Sequence, residues 1–267
     1  MNIPYTKAHG AKNDFVLTWR EQVELSDLSA KARAICDRHT GVGADGWLLV
    51  ERRTGEANGA IQLYNSDGST AEISGNGTRC AAAFLIEAGA AESEVRIQTG
   101  AGLKSLQLLD RRGRCFLFEM NMGKPYYSEG DARFPLELMH GVREVTILSV
   151  GNPQCAVFVP DFQFEWQELG REIESHQHFP NRTNVSFIRA VDAHTIDVRF
   201  YERGAGETMS SGTGSTGAAA AAMLRGLVTS PVRVLTPAGP LDVVDKKGEL
   251  YLAGPAEIVA GGEFYRE

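Results

Sequence analysis

Two short segments carry the residues best placed to do chemistry. Ser74-Gly75-Asn76-Gly77 opens an apolar stretch that ends at Gly89, and Ser211-Gly212-Thr213-Gly214 opens an alanine-rich stretch that ends at Gly226. The two serines stand 137 positions apart, and so do the two closing glycines. The register extends further: residues 95–102 fall on 232–239, and Tyr64 falls on Tyr201. A Ser-Gly-x-Gly segment ahead of an apolar run predicts a helix start. The first N–H groups of a helix lack intrahelical partners, and the macrodipole adds partial positive charge there. Glycine lets a ligand approach the backbone, so such an end suits a carboxylate or a phosphate. It also lowers the pKa of an acid held there, which is how a cysteine becomes a reactive thiolate. Here the position is a serine. Serine is equally a preferred helix cap, its hydroxyl satisfying an orphan N–H, and one such segment alone would be a cap. Two in register, beside clustered Asn, Glu and Arg, point to a ligand site.

The elements that position these segments are mostly strands. Short β-branched and aromatic runs lie at 15–18, 47–50, 61–64 and 95–99 in the first half. They recur at 115–120, 145–150, 156–159, 185–188 and 196–201, then at 232–236, 241–244 and 250–253, with Gly, Asn and Asp between them as turn chemistry predicts. Helical periodicity is confined to 28–38, 77–88, 164–175 and 215–225. A helix that is apolar all round must be enclosed, and strands curling about one central helix would enclose it. The fold class expected is therefore α+β. It has two pseudo-repeated lobes, each a curled, largely antiparallel sheet around one central helix, with a ligand cleft between the lobes. The expected division is 1–113 and 114–258, with residues 259–267 returning to the first lobe.

Bulk properties exclude several function classes. In 267 residues, 43% are hydrophobic, enough for two cores, and the net charge of −7 argues against nucleic acid as a partner. Residues 1–7 do not read as a secretory signal, and no apolar run reaches the ~18 residues that span a bilayer. Cys36, Cys80, Cys115 and Cys155 form no Cys-x-x-Cys pair, and no histidine lies at ligand spacing from them. A metal site is not expected, and the thiols are expected to be reduced, in a cytoplasmic protein with no membrane partner.

At this point the sequence resembles the diaminopimelate epimerase family. The motifs that carry the resemblance run in order along nearly the whole chain. They are His9-Gly10-Ala11-Lys12-Asn13-Asp14-Phe15, Arg38-His39-Thr40-Gly41-Val42-Gly43-Ala44-Asp45-Gly46, Asn65-Ser66-Asp67-Gly68-Ser69, Ser74 to Cys80, Gly151-Asn152-Pro153, Asn184, and Tyr201-Glu202-Arg203-Gly204-Ala205-Gly206-Glu207-Thr208. The resemblance implies an isomerase that needs no cofactor, acting in lysine and peptidoglycan precursor synthesis on a small amino-acid substrate and possessing a tendency to form homodimers. It implies two catalytic cysteines, one per lobe, on opposite faces of the α-carbon. Their positions are Ser74 and Ser211 here, and Cys80 lies too far along its helix to stand in. Gln154 occupies a position where the family has a histidine near the reacting centre, whereas the matching carboxylate, Glu202, is kept. The recognition set implied by resemblance is better preserved. Asn65, Asn152, Asn184 and Arg203 would grip the distal end of diaminopimelate, with Asn13 supporting that pocket. Gly75, Asn76, Gly212 and Thr213 would offer backbone N–H groups to the reacting carboxylate, and Glu202 would hold the reacting ammonium.

The residues themselves fit a zwitterionic amino acid. An arginine can hold a carboxylate bidentately, and an asparagine amide pairs with either end. A serine hydroxyl is a far weaker acid than a thiol, and its alkoxide is scarce without an adjacent base. Slow or absent two-base epimerisation is therefore expected. Two other readings stand beside this one. The first is a related isomerase or dehydratase on another amino acid or small carboxylic acid, with Asp67, Glu72, Glu202 or Glu207 carrying protons. The second is a non-catalytic ligand-binding relative.

Overall fold

The computed structural model describes residues 2–265. The chain divides into two compact units, one made of residues up to Met120 together with those from Gly254 onward, the other spanning Asn121–Ala253. The first unit contains β1 (Asn2–Gly10), β2 (Asn13–Trp19), α1 (Leu28–Cys36), β3 (Gly46–Arg52), β4 (Gly59–Asn65), β5 (Thr70–Ala71), α2 (Gly75–Glu87), β6 (Glu94–Thr99), β7 (Gly102–Arg112) and most of β8 (Cys115–Gly123). The second contains β9 (Phe134–Leu138), β10 (Gly141–Ser149), β11 (Pro153–Phe158), α3 (Trp166–Glu174), β12 (Asn184–Asp192), β13 (Thr195–Glu202), β14 (Gly206–Thr208), α4 (Gly212–Leu224), β15 (Val232–Thr236), β16 (Gly239–Lys246) and the start of β17 (Glu249–Tyr265).

In the first unit β1, β2, β3, β4, β6, β7 and β8 pair in that order, and the later part of β17 pairs with both β8 and β1, closing a ring of eight strands. The pairings alternate: β1–β2 antiparallel, β2–β3 parallel, β3–β4 antiparallel, β4–β6 parallel, β6–β7 antiparallel. Side chains obey the period of two that strands impose; in β6, Val95, Ile97 and Thr99 are buried while Glu94, Arg96 and Gln98 are exposed. Helix α2 is buried from Gly75 to Leu85 and packs on β1, β2, β3, β4 and β6. Alanines 81–83 let the strands approach it from every side.

The second unit repeats the alternation, with β10–β11 antiparallel, β11–β12 parallel, β12–β13 antiparallel, β13–β15 parallel and β15–β16 antiparallel. Helix α4 packs on β10 to β13, β15 and β16, and its alanines 218–222 are buried. Helix α3 is amphipathic: Trp166 and Ile173 enter the core. Gly170 lets α3 press on Tyr201, since a Cβ there would come within 2.8 Å of that residue's Cβ.

All four expected helices form, but α2 and α4 begin at Gly75 and Gly212, earlier than 77 and 215. The glycine segments are not turns ahead of the helices; capped by their serines, they are the first turns. Strands β1, β7 and β9 and the short β5 and β14 were not expected. Strand β7 buries only Leu106, and its other leucines, Leu103, Leu108 and Leu109, are half-buried or exposed and break the alternation, Leu108 and Leu109 being adjacent. Strand β9 contains Pro135 and pairs only with β10, the edge position where proline is tolerated. Residue 113 lies in the β7–β8 turn, where Arg112 pairs with Cys115, and the compact units divide after Met120.

Candidate active site

The two serine-led segments each start a buried helix, one in each unit. In the first unit, Ser74 has extended backbone, and its Oγ accepts the Gly77 N–H at 3.1 Å. Its carbonyl accepts the Thr78 N–H at 2.8 Å and the Thr78 hydroxyl at 2.7 Å. Gly75 and Asn76, the first helical residues, keep N–H groups with no intrahelical acceptor. Asn76 is buried, and its Nδ2 donates to Asn13 Oδ1 at 3.1 Å. Asn13 Nδ2 in turn donates to Asp45 Oδ2 at 2.7 Å. Arg38 spans Asp45 and Asp14, at 2.7 and 2.8 Å, and Lys7 lies 3.1 Å from Asp14. Burial raises the Asp14 pKa, but the hydrogen bonds and charges of Arg38 and Lys7 outweigh it and leave the carboxyl below its usual range. Asn65 bonds within its own turn, Nδ2 to Ser69 Oγ at 2.9 Å, and the backbone N–H of Ser66 reaches the Asp45 carbonyl at 3.1 Å. Asp45 is thus bonded by the Asn13 side chain and by the backbone of the turn that follows Asn65, and Asn76 reaches it through Asn13.

In the second unit, Ser211 is 4% exposed, and its Oγ accepts the Gly214 N–H at 3.0 Å. Asn152 Nδ2 donates to Thr213 Oγ1 at 3.2 Å, and Asn152 Oδ1 accepts from Gln154 Nε2 at 2.7 Å. Gln154 lies against α4, where a Cβ on Gly217 would come within 2.9 Å of its Cγ. Its Oε1 is buried without a hydrogen-bond partner. Asn184 joins two loops: its Nδ2 donates to the Pro153 carbonyl at 2.9 Å, and its Oδ1 accepts the Arg203 N–H at 3.1 Å. Arg203 is exposed, with one guanidinium nitrogen on the Asn181 carbonyl at 3.3 Å. Desolvation raises the Glu202 carboxyl above its ordinary pKa, and the Ser211 and Thr208 hydroxyls pull it partly back.

The remaining carboxylates and thiols do not join these helix starts. Asp67 caps its own turn, and the Ser69 hydroxyl and N–H hold its pKa low. Glu72 is exposed, and Glu207 is an exposed partner of Gln167. Burial pushes the Cys80 thiol up to about 12 and the Cys155 thiol further still, so neither supplies a thiolate near neutral pH. Two participants were missed by sequence reading. Asp45 orients Asn13, although no role was read for it within its motif. Arg79 is fully buried one turn into α2. Its signal was present as a charge inside an otherwise apolar helix, where full burial demands hydrogen-bond partners.

A sequence profile described as diaminopimelate epimerase matches residues 5–128 and 146–259. The chain belongs to the diaminopimelate epimerase family. It is therefore an isomerase by family. Among its relatives, the diaminopimelate epimerase of Pelotomaculum thermopropionicum is 39% identical over 97% of this chain and 98% of its own. That of Halothermothrix orenii is 33% identical over 98% of both. Among solved structures, a hydroxyproline epimerase from Agrobacterium vitis with bound trans-4-hydroxy-L-proline superposes with a TM-score of 0.72 at 16% identity, covering 98% of this chain and 90% of that one. A phenazine biosynthesis protein of the PhzF family from Bacillus anthracis superposes at 0.73, also at 16% identity, covering 98% and 99%. These structural likenesses share the sheet-rich fold. No helix among the described residues is long and apolar enough to cross a membrane.

Proposed function

We propose that this chain recognises a diaminopimelate-like amino acid and that the serine-capped helix starts, one in each unit of the repeat, carry that recognition. The observation that carries this reading is the pair of Ser-Gly-x-Gly helix starts, each with its hydroxyl accepting the N–H of the third helical residue at 3.1 and 3.0 Å. Gly75, Asn76, Gly212 and Thr213 bind the reacting carboxylate, Glu202 the reacting ammonium. Asn65, Asn152 and Arg203 grip the distal end, with Asn184 holding Arg203 in place. The reaction class is cofactor-independent epimerisation at a carbon between ammonium and carboxylate, in lysine and peptidoglycan precursor synthesis, by a cytoplasmic homodimer.

Serine changes the rate rather than the recognition. A base must lie close in pKa to the working pH to move a proton efficiently, and both hydroxyls are engaged as caps. Turnover by the two-base route is therefore slow. Proton NMR with LL-diaminopimelate in D₂O tests the reading: line broadening with little loss of the α-proton signal is expected. Fast exchange with appearance of the meso isomer would overturn the claim about rate, and no interaction would overturn the assignment of substrate.

One observation favours a second reading. Glu202 is a carboxyl set against the Ser211 hydroxyl, its pKa raised by burial, and a single carboxyl there would serve single-base isomerisation or dehydration of another amino acid. Turnover of such a substrate that disappears in Glu202→Gln and persists in Ser74→Ala would select it.

A further inference from the structure

The buried Arg79 belongs to no step above. Its Nε donates to the Pro255 carbonyl at 3.1 Å, and one terminal nitrogen donates to Asn76 Oδ1. The other, Nη1, is buried without a partner. Neither partner is a carboxylate, so a whole positive charge sits beside the α2 start uncompensated by a bonded anion. A buried charge normally has an ionic partner, and its absence calls for a function.

The hydrogen bonds determine one. Guanidinium nitrogens only donate, so the Asn76 atom facing Arg79 must be the amide oxygen. The Asn76 nitrogen then faces Asn13, at 3.1 Å, and the Asn13 atom that receives it must be an oxygen. The Asn13 nitrogen is left to face Asp45, which as a carboxylate only accepts, at 2.7 Å. A donor-only group at one end and an acceptor-only group at the other impose the same direction on both amides. Each NH₂ spends one hydrogen in this chain and retains the other. At the position that repeats Arg79 in α4, Thr216 spends its hydroxyl on the Gly212 carbonyl at 2.8 Å, so the second start has no such cation.

We propose that Arg79 is a positioning residue that holds the Asn76 oxygen, reinforces from the α2 side the amide direction that Asp45 imposes on Asn13, and makes the α2 start a donor-only receptor for the carboxylate of an amino-acid ligand. This rests on the substrate class proposed above and deepens it by assigning the polarity of one helix start. Losing Arg79 removes the donor that holds the Asn76 oxygen and leaves the amide chain fixed from the Asp45 end alone, so the Asn76 amide is the one loosened.

The test uses the full chain with Arg79→Met, Arg79→Lys and Asn76→Asp. Side-chain amide ¹H–¹⁵N spectra without ligand report the two asparagines directly, and calorimetry with LL-diaminopimelate reports binding. Arg79→Met should shift the Asn13 and Asn76 amide signals and weaken binding at least tenfold, and Arg79→Lys, which keeps a donor, should recover most of both. Asn76→Asp still accepts from Arg79 but cannot donate to Asn13, and it should lose binding to a similar degree. If Arg79→Met fails to fold, Asn76→Asp and Arg79→Lys decide the matter by the same readings. Unchanged amide signals and unchanged affinity in Arg79→Met and Asn76→Asp would overturn the proposal. Failure of the unaltered chain to bind would overturn the substrate reading instead. The amide signals would then decide the role of Arg79, and an Arg79→Met spectrum like that of the unaltered chain would reject it.

Discussion

The starts of α2 and α4 share a backbone and differ in what stands behind it. Both open on a serine with extended backbone, and both serines cap the third helical residue. In both, the second helical residue is tied to an asparagine from a neighbouring strand or turn, Asn76 to Asn13 and Thr213 to Asn152. The charges diverge. Behind α2 lies the buried guanidinium of Arg79, whereas beside α4 lies the carboxyl of Glu202, facing the serine itself. The helix dipole is common to the two, so their difference in polarity comes from flanking side chains. One helix start therefore stands beside a cation and the other beside a carboxyl, although both expose the same anion-binding N–H groups.

The largest expected effect comes from restoring thiols to both starts. Ser74→Cys with Ser211→Cys should raise α-proton exchange by about 10²–10⁴-fold, the usual worth of a matched acid–base group, measured by NMR in D₂O. No gain would mean that Gln154 or the flanking charges, rather than the serines, limit the reaction. Next in size is Arg203→Ala, which should weaken binding of LL-diaminopimelate by about 1.5–3 kcal/mol, the worth of hydrogen bonds to a charged group. Calorimetry measures it, and equal affinity would remove Arg203 from the distal site.

The caps sharpen the comparison further. Ser74→Ala and Ser211→Ala should each cost about 0.5–2 kcal/mol in urea unfolding. The loss should be larger at Ser211, which is 4% exposed, than at the half-buried Ser74. The smallest effect is one of pH. The pKa of Glu202 is higher in the folded than in the unfolded chain, so the native state binds the extra proton between the two values. Its contribution to stability is best below the unfolded value of about 4.3, falls as pH rises towards the raised folded value, and is flat beyond it. Glu202→Gln should remove that slope from a pH series of denaturation midpoints, and an unchanged slope would place the carboxyl in water.

How much of this was legible in the sequence depended on the range of the interaction. The enclosed helices announced themselves as apolar on all sides, and the repeat located both starts. Strand β7, whose leucines fall out of alternation, and proline-bearing β9 were illegible because neither reads as a regular half-buried strand. At the site, Ser74 and Ser211 could be read as caps because capping is local. The direction of the Asn13 amide could not, because it is set by Asp45 on the loop before β3 and by Asn76 on α2, which only the pairing of β2 with β3 and the packing of α2 bring together. Asn184 read as a ligand-binding amide, yet most of its capacity goes to the backbone of Pro153 and Arg203. Chemistry carried by one segment is visible in the sequence, whereas chemistry assembled from three is not.

The opposite polarity of the two starts is measured most directly by placing one thiol in each. Ser74→Cys and Ser211→Cys would be made separately in a Cys115→Ser background, since Cys115 is exposed and the other three native thiols are buried. Each new thiol would be titrated by its rate of alkylation against pH. In the Ser74→Cys variant the account predicts a thiol pKa below the ordinary value of about 8.5, lowered by the helix start and Arg79. In the Ser211→Cys variant it predicts a clearly higher value, because Glu202 opposes the thiolate charge. Equal pKa values in the two variants, or a lower one in Ser211→Cys, would contradict it.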